Sequence, residues 1–330
     1  MPQGSYAYGC ARISALEKHI LSRDAVRRMA ESSLEDVMRQ LADVRYGGLS
    51  SATPADCERM IENERIAAAN TLRELSPEPE LTDLFLLQTD IHNLKVLLKA
   101  RMLGGEDAAW QEGGLYSREQ LSAAVEDQAY RGLLPEKLAE ALERMENRLK
   151  VHFEPQIVSI ACDYGYLAHA MEAVKGCKEP FAKAYFAALC DFDNLLTFLR
   201  MRAMGAPKED LRAALLPLGG IHPQTLIDAY DLPADTLNRV LADSVAREAL
   251  NAGLAEMLAT GSIGKLEKAR DDYLLSLVNH RRHDVMTIFP IVGYFLAKDR
   301  EAKAVRLILT AKRNGLGDSV ITERLRELYG

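Results

Sequence analysis

Apolar residues recur along this chain at helical spacing, and the clearest run is Asp90 to Arg101 (DIHNLKVLLKAR). With the residues before it, the run puts Leu84, Leu87, Ile91, Leu94, Leu98 and Met102 on one face of a helix, a face that should point into a core. The pattern is written three times. A second copy runs from Asp191 to Arg202 (DFDNLLTFLRMR), and a weaker third from Glu301 to Lys312 (EAKAVRLILTAK). Gly104, Gly205 and Gly315 each stand three residues past the last basic residue. At about 100° per residue, Asp90, Asn93, Leu97 and Arg101 fall in one narrow arc. So do Asp191, Asn194, Phe198, Arg202, and Glu301, Ala304, Ile308, Lys312. Each helix therefore carries one stripe of acid, small polar residue or Ala, apolar residue and base.

The other periodic segments are helical too. The opening segment Tyr6 to Glu17 leads into a helical pattern that ends near Ser22 to Asp24, where a cap restarts the helix. A run through Ser33, Val37 and Leu41 stops at Tyr46, Gly47 and Gly48. Further helices are predicted from about Ala55 to Glu74, Pro155 to Lys175 and Lys265 to Arg282, with a short one from Ser319 to Leu328, and the second unit continues through Pro135 to Lys150 before its helices. Gly113-Gly114 and Gly219-Gly220 mark equivalent joints. A spaced signature, Val37/Leu41/Asp43, Leu121/Val125/Asp127 and Leu237/Leu241/Asp243, precedes the long helix in each copy. The expected fold is all-α, in three similar lobes: 1–114, 115–220 and 221–330. A repeat of this length exceeds the roughly 20–50 residues of solenoid modules, so each copy is a small domain.

Composition agrees with helices: 48% of the 330 residues are hydrophobic and only 6% aromatic. The net charge of −7 argues against general nucleic-acid binding. From Lys265 to Arg313, however, eleven Lys or Arg face six Asp or Glu. That could meet an acidic partner, although a solvated helical face is the simpler account. The five cysteines have no CxxC spacing and indicate neither a disulfide framework nor a zinc site. No window approaches the ~18–20 apolar residues of a membrane span.

No stretch makes a convincing active site, and neither catalytic residues, a cofactor nor a metal is expected. Gly261 to Lys265 ends like a phosphate-binding loop, but Ala259 replaces the first glycine and Leu266 follows the lysine. His280, His283 and Asp284 have metal-like spacing without a further ligand, since such a site takes three or four. The stripe residues Asp90, Asn93, Arg101, Asp191, Asn194 and Arg202 are the candidate partner-binding set. Their structural reading, helix-to-helix bonds that fix the packing of each lobe, is favoured, because one asymmetric ligand does not need three copies.

Four segments together carry a family resemblance: 6–13 (YAYGCARI), 90–101, 191–195 (DFDNL) and 290–303 (PIVGYFLAKDREAK), the last followed by Arg306 to Thr310. They resemble the C subunit of the V-type (archaeal and bacterial) ATP synthase, a relative of the d subunit of the eukaryotic vacuolar ATPase. Cys10 and Ala304 depart from the pattern. The resemblance implies three helical lobes in a pseudo-threefold funnel and no catalysis by this chain. It implies a rotor subunit that couples the central-stalk subunits D and F to the membrane rotor ring for ATP-linked proton or sodium ion transport. That position is peripheral, on the cytoplasmic face of the membrane. The competing readings are a free-standing helical scaffold for soluble partners and a helical-bundle enzyme built on His280, His283 and Asp284.

Overall fold

The structure is a computed structural model that describes residues 5–49, 53–104, 109–150, 155–177, 180–326 and 328. Among the described residues there is no β-strand, only an isolated bridge between Arg131 and Leu134. The fold is all-α, as the periodicity requires. In chain order the helices are α1 (Tyr6–Leu16), α2 (Arg23–Glu31), α3 (Leu34–Asp43), α4 (Cys57–Leu75), α5 (Pro79–Leu103), α6 (Arg118–Glu126), α7 (Glu136–Leu149) and α8 (Pro155–Ala173). They continue with α9 (Pro180–Ala203), α10 (Lys208–Ala214), α11 (Pro223–Asp228), α12 (Arg247–Thr260), α13 (Ile263–Asn279), α14 (Phe289–Arg313) and α15 (Asp318–Arg324).

The three copies of the repeated segment lie on α5, α9 and α14. These are the longest helices, of 25, 24 and 25 residues. The glycines that follow them adopt one conformation, with φ of 67° at Gly104, 66° at Gly205 and 67° at Gly315. Beyond α9 and α14 the chain closes a Schellman turn, with Ala206 donating to the Met201 carbonyl at 3.0 Å and Leu316 to the Ala311 carbonyl at 2.9 Å. A side chain in that left-handed position would be strained, which explains why glycine recurs there.

The expected apolar face of α5 is in place: Leu84, Leu87, Ile91, Leu94 and Leu98 are buried, and Met102 in the last turn is half-buried. Burial does not stop at that face. Phe85, Leu86, Asp90 and Asn93 are also inside, so the helix is enclosed around most of its circumference.

The chain forms two compact units, one made of residues 1–89, 111–115 and 275–330, the other of 90–110 and 116–274. The first unit joins the two ends of the sequence. Its core brings Val26, Met29, Val37, Leu41, Met60 and Ile61 against Val305, Ile308, Leu309 and Ile321. α2 and α3 start on serine caps, Ser22 accepting from Ala25 N–H and Ser33 from Asp36 N–H. In the second unit α7 and α8 pack as a pair, and α9 packs with α10 and α11. Its buried side chains include Leu138, Leu142, Phe186, Phe192, Phe198 and Leu211.

Candidate functional site

The stripe can be followed residue by residue. Its acids, Asp90, Asp191 and Glu301, are all 0% exposed. Each accepts a backbone N–H from a distant segment: Asp90 from Tyr116 at 3.2 Å, Asp191 from Ile221 at 3.0 Å, and Glu301 from Leu21 at 2.5 Å. Tyr116, Ile221 and Leu21 occupy one structural position. Each immediately precedes the N-cap of a short helix: Ser117 before α6, His222 before α11, Ser22 before α2. A buried carboxylate must find donors, and here each finds one on the residue that leads into a short helix, which for Glu301 lies near the other end of the chain.

Asp191 also accepts from the Ser244 hydroxyl at 2.6 Å. Burial raises its carboxyl above the ordinary value, against the pull of these donors. Glu301 is raised by burial as well, with Lys298 opposing, and Lys298 also reaches Glu64 at 2.6 Å. The second stripe position is likewise internal. Asn194 bonds Leu216 twice, donating to its carbonyl at 2.8 Å and accepting its N–H at 2.8 Å. Asn93 is 0% exposed, and Ala304 is buried in the third copy.

The bases diverge. Arg101 reaches Glu146 at 2.5 Å and donates to the Val125 carbonyl at the C-terminal end of α6, where a cation is favoured. The Tyr130 hydroxyl bonds the same carboxylate, and burial with that bond pushes the phenol well above its ordinary value. Lys312 pairs with Asp318 at 2.7 Å, at the start of α15. Arg202 is half-buried, and its Nη1 is enclosed without a hydrogen-bond partner among the described residues.

The remaining candidates resolve simply. Gly261, at φ 70°, is the left-handed C-cap of α12, donating to the Met257 carbonyl at 2.8 Å; the stretch that ends like a phosphate loop is a helix-to-helix turn. His280 Nδ1 lies 2.6 Å from the Ser276 carbonyl, and His283 Nε2 accepts from Arg282 at 3.1 Å. Asp284 pairs with Arg281 at 2.7 Å. Among the described residues no group of three or more His, Cys, Asp or Glu converges on a metal position, and no helix is long and apolar enough to cross a membrane.

The bond from each stripe carboxylate to the amide ahead of a short helix forms a clasp, and its position exposes an error of register in the spaced signature. Val37/Leu41 and Leu237/Leu241 lie at matching distances after Leu21 and Ile221, but Leu121 lies only five residues after Tyr116. Its true counterparts are Val26 and Leu226, each five residues past its own clasped amide and each buried. An i, i+4 apolar pair carries too little information to fix register. The recurring cap after each clasped residue is the signal that could have fixed it. Ser244, Leu216, Tyr130 and Glu146, which complete the stripe's bonds, carry no signal in sequence spacing.

The family described as ATP synthase (C/AC39) subunit matches the chain over residues 9–324. The C subunit of the V-type sodium ATPase of Enterococcus hirae is 23% identical over 320 residues, covering 96% of this chain and 97% of that protein. The C subunit of the A-type ATP synthase of Pyrococcus abyssi is 24% identical over 354 residues, covering 98% and 90%. That of Pyrococcus horikoshii is 23% identical over 347 residues, covering 98% and 90%. With a match that runs through all three clasping helices, the chain belongs to the ATP synthase (C/AC39) subunit family.

Proposed function

We propose that this chain is a non-catalytic rotor subunit of a V/A-type rotary ATPase, standing at the cytoplasmic face of the membrane between a central stalk of subunits D and F and the membrane rotor ring. In this reading it carries torque for ATP-linked ion transport while ATP chemistry and ion passage occur in other subunits. Three lobes, 1–114, 115–220 and 221–330, form a funnel around the stalk. The observation that carries the reading is the clasp repeated at Asp90, Asp191 and Glu301. A part that transmits rotation must not shear internally, and a buried charge-assisted bond at the start of each set of short helices resists that.

Within this proposal the six stripe residues divide by exposure. Asp90, Asn93, Asp191 and Asn194 have no surface to offer and serve the partner contact by holding the segments around them. Arg101 and Arg202 are half-buried and are the two that can reach a partner. The test is reconstitution in vesicles with and without this chain. Loss of ATP-driven ion transport, with hydrolysis by the soluble head retained, is the expected result. Full coupling without the chain would end the proposal, and saturable binding of ATP to the pure protein would remove its non-catalytic part.

A further inference from the structure

The junction ahead of the third long helix differs from the other two. Residues 76–78 separate α4 from α5, and residues 177–179 separate the 3-10 turn ending at Gly176 from α9. Between α13 and α14 the junction runs from 280 to 288, with the sequence HRRHDVMTI. Its base is tied down. Arg281 pairs with Asp284 at 2.7 Å and lies 3.8 Å over the Phe289 ring, and the Thr287 hydroxyl donates to the Asp284 carbonyl at 2.5 Å. Its apex is bare: Val285 is 64% exposed and Met286 61%.

Met286 holds φ 72°, the left-handed region that glycine adopts freely and other L residues only at a cost. Single exposed apolar residues need no explanation. Two adjacent ones, at the tip of a braced loop and with one in a costly backbone conformation, do. A glycine would hold this turn without strain and without offering an apolar side chain to water. The compensation therefore lies outside the chain, and strain of this kind concentrates where a surface binds something.

Charge indicates what is bound. The loop sets Arg281 and Arg282 against one acid, Asp284, with His280 and His283 alongside, so it is basic by composition. It also lies in the stretch where eleven Lys or Arg face six Asp or Glu, in a chain whose net charge is −7. A braced loop loses little freedom on binding, an apolar pair supplies an anchor, and a basic rim selects an acidic counterpart. Because, among the described residues, the feature occurs at one of the three junctions, it suits a partner met once and not one that touches every lobe alike.

We infer that the 280–288 loop docks one acidic segment of a partner subunit, with Val285 and Met286 as its apolar anchor and Arg282 supplying charge. The inference rests on the chain working inside a multisubunit assembly, and the experiment separates the two. A photo-crosslinking residue is placed at Met286, and the complex is purified through a tag on another subunit. Recovery of unsubstituted chain in that complex tests the assembly reading by itself. The docking inference expects a cross-link to an Asp/Glu-rich peptide of one other subunit, lost at least tenfold in Arg282→Glu. It also expects Met286→Gly to leave the thermal midpoint of the isolated chain equal or higher while weakening retention in the complex several-fold. Cross-links only to lipid, to a second copy of this chain or to a basic peptide overturn it, as does Met286→Gly assembling as tightly as the unsubstituted chain.

Discussion

Glu301 accepts the backbone N–H of Leu21 at 2.5 Å, across 280 positions of sequence. The same carboxylate is bonded by Lys298, and the helix that carries it packs into the core formed by α2 and α3. The two ends of the chain are thus parts of one folding unit, and neither can bury its apolar face alone.

Glu301→Ala removes the acceptor of a buried N–H and one counter-charge of a buried lysine. Breaking such a pair costs about 3 kcal/mol or more. Glu301→Gln retains an acceptor for Leu21 and should cost less than half of that. Urea unfolding of the two variants, followed by far-UV circular dichroism, gives the comparison. Equal losses would mean that the acceptor kept by Gln contributes nothing and that the whole effect is the charge opposite Lys298.

Gly219 should tolerate a methyl group less well than Gly205 does. A Cβ at Gly219 would lie 2.0 Å from Asp191 Oδ1, so alanine must displace the buried carboxylate. At Gly205 the same substitution meets open space and only the left-handed φ of 66°. Gly205→Ala should therefore cost about 1 kcal/mol, and Gly219→Ala on the order of 3 kcal/mol. Chemical denaturation of both variants checks the order, and a larger loss at Gly205 would contradict the geometry.

These contrasts show where the sequence was legible. The three long helices could be read from it because each repeats the spacing of Asp90, Asn93, Leu97 and Arg101, a local pattern. The clasp could not, because what Asp90 bonds is a backbone amide, and an amide carries no side-chain signature. The pairing of Glu301 with Leu21 is hidden further, since sequence order puts its partners at opposite ends. α10 and α11, of seven and six residues, fall below the length at which apolar periodicity is visible. The six stripe residues lie on α5 and α9 at the spacing read from the sequence, but the burial of four of them depends on tertiary neighbours that spacing does not reveal.

Asp299 provides a pH test. Burial works to raise its carboxyl, but Lys303 at 2.6 Å and Arg65 at 3.6 Å outweigh burial and hold it below the ordinary carboxylate value. A folded-state value below the unfolded one gives stability that is present above about pH 4 and is lost as pH falls through the folded value. The stability gap between the unsubstituted chain and Asp299→Asn should therefore be widest near neutrality and close in acid. Glu301, raised by burial, runs the other way: its contribution is lost as pH rises through its folded value. Urea midpoints from pH 3 to 7 read Asp299, and their continuation upward in pH follows Glu301; a gap for Asp299 that widened in acid would reverse the assignment.

The cysteines should react in order of burial. Burial pushes the Cys162 and Cys190 thiols up to about 12, so neither supplies thiolate near neutral pH. Cys10 and Cys57 are buried as well, whereas Cys177 is half-buried. Iodoacetamide at pH 8, with peptide mass spectrometry, should modify Cys177 first and reach the others only on unfolding. Early modification of Cys162 would show that α8 opens in the native state.

Arg101 and Arg202 occupy one stripe position and should nevertheless separate on substitution. Arg101 is held by Glu146 and the Val125 carbonyl, and the Tyr130 hydroxyl shares that carboxylate, so Arg101→Gln strands a carboxylate that is nearly buried. That should cost about 2–3 kcal/mol in the isolated chain, the range for a hydrogen bond to a charged group plus the group left behind. Arg202 has an enclosed Nη1 that bonds no described residue, so Arg202→Gln gives up little inside the chain and should stay within about 1 kcal/mol. If Arg202 is the stripe position that touches a partner, the same variant should lower ATP-driven ion transport in the assembled enzyme while hydrolysis continues. Unfolding free energy and coupling, measured on the two variants side by side, then point in opposite directions. A destabilised Arg202→Gln with unchanged coupling would make the whole stripe internal packing.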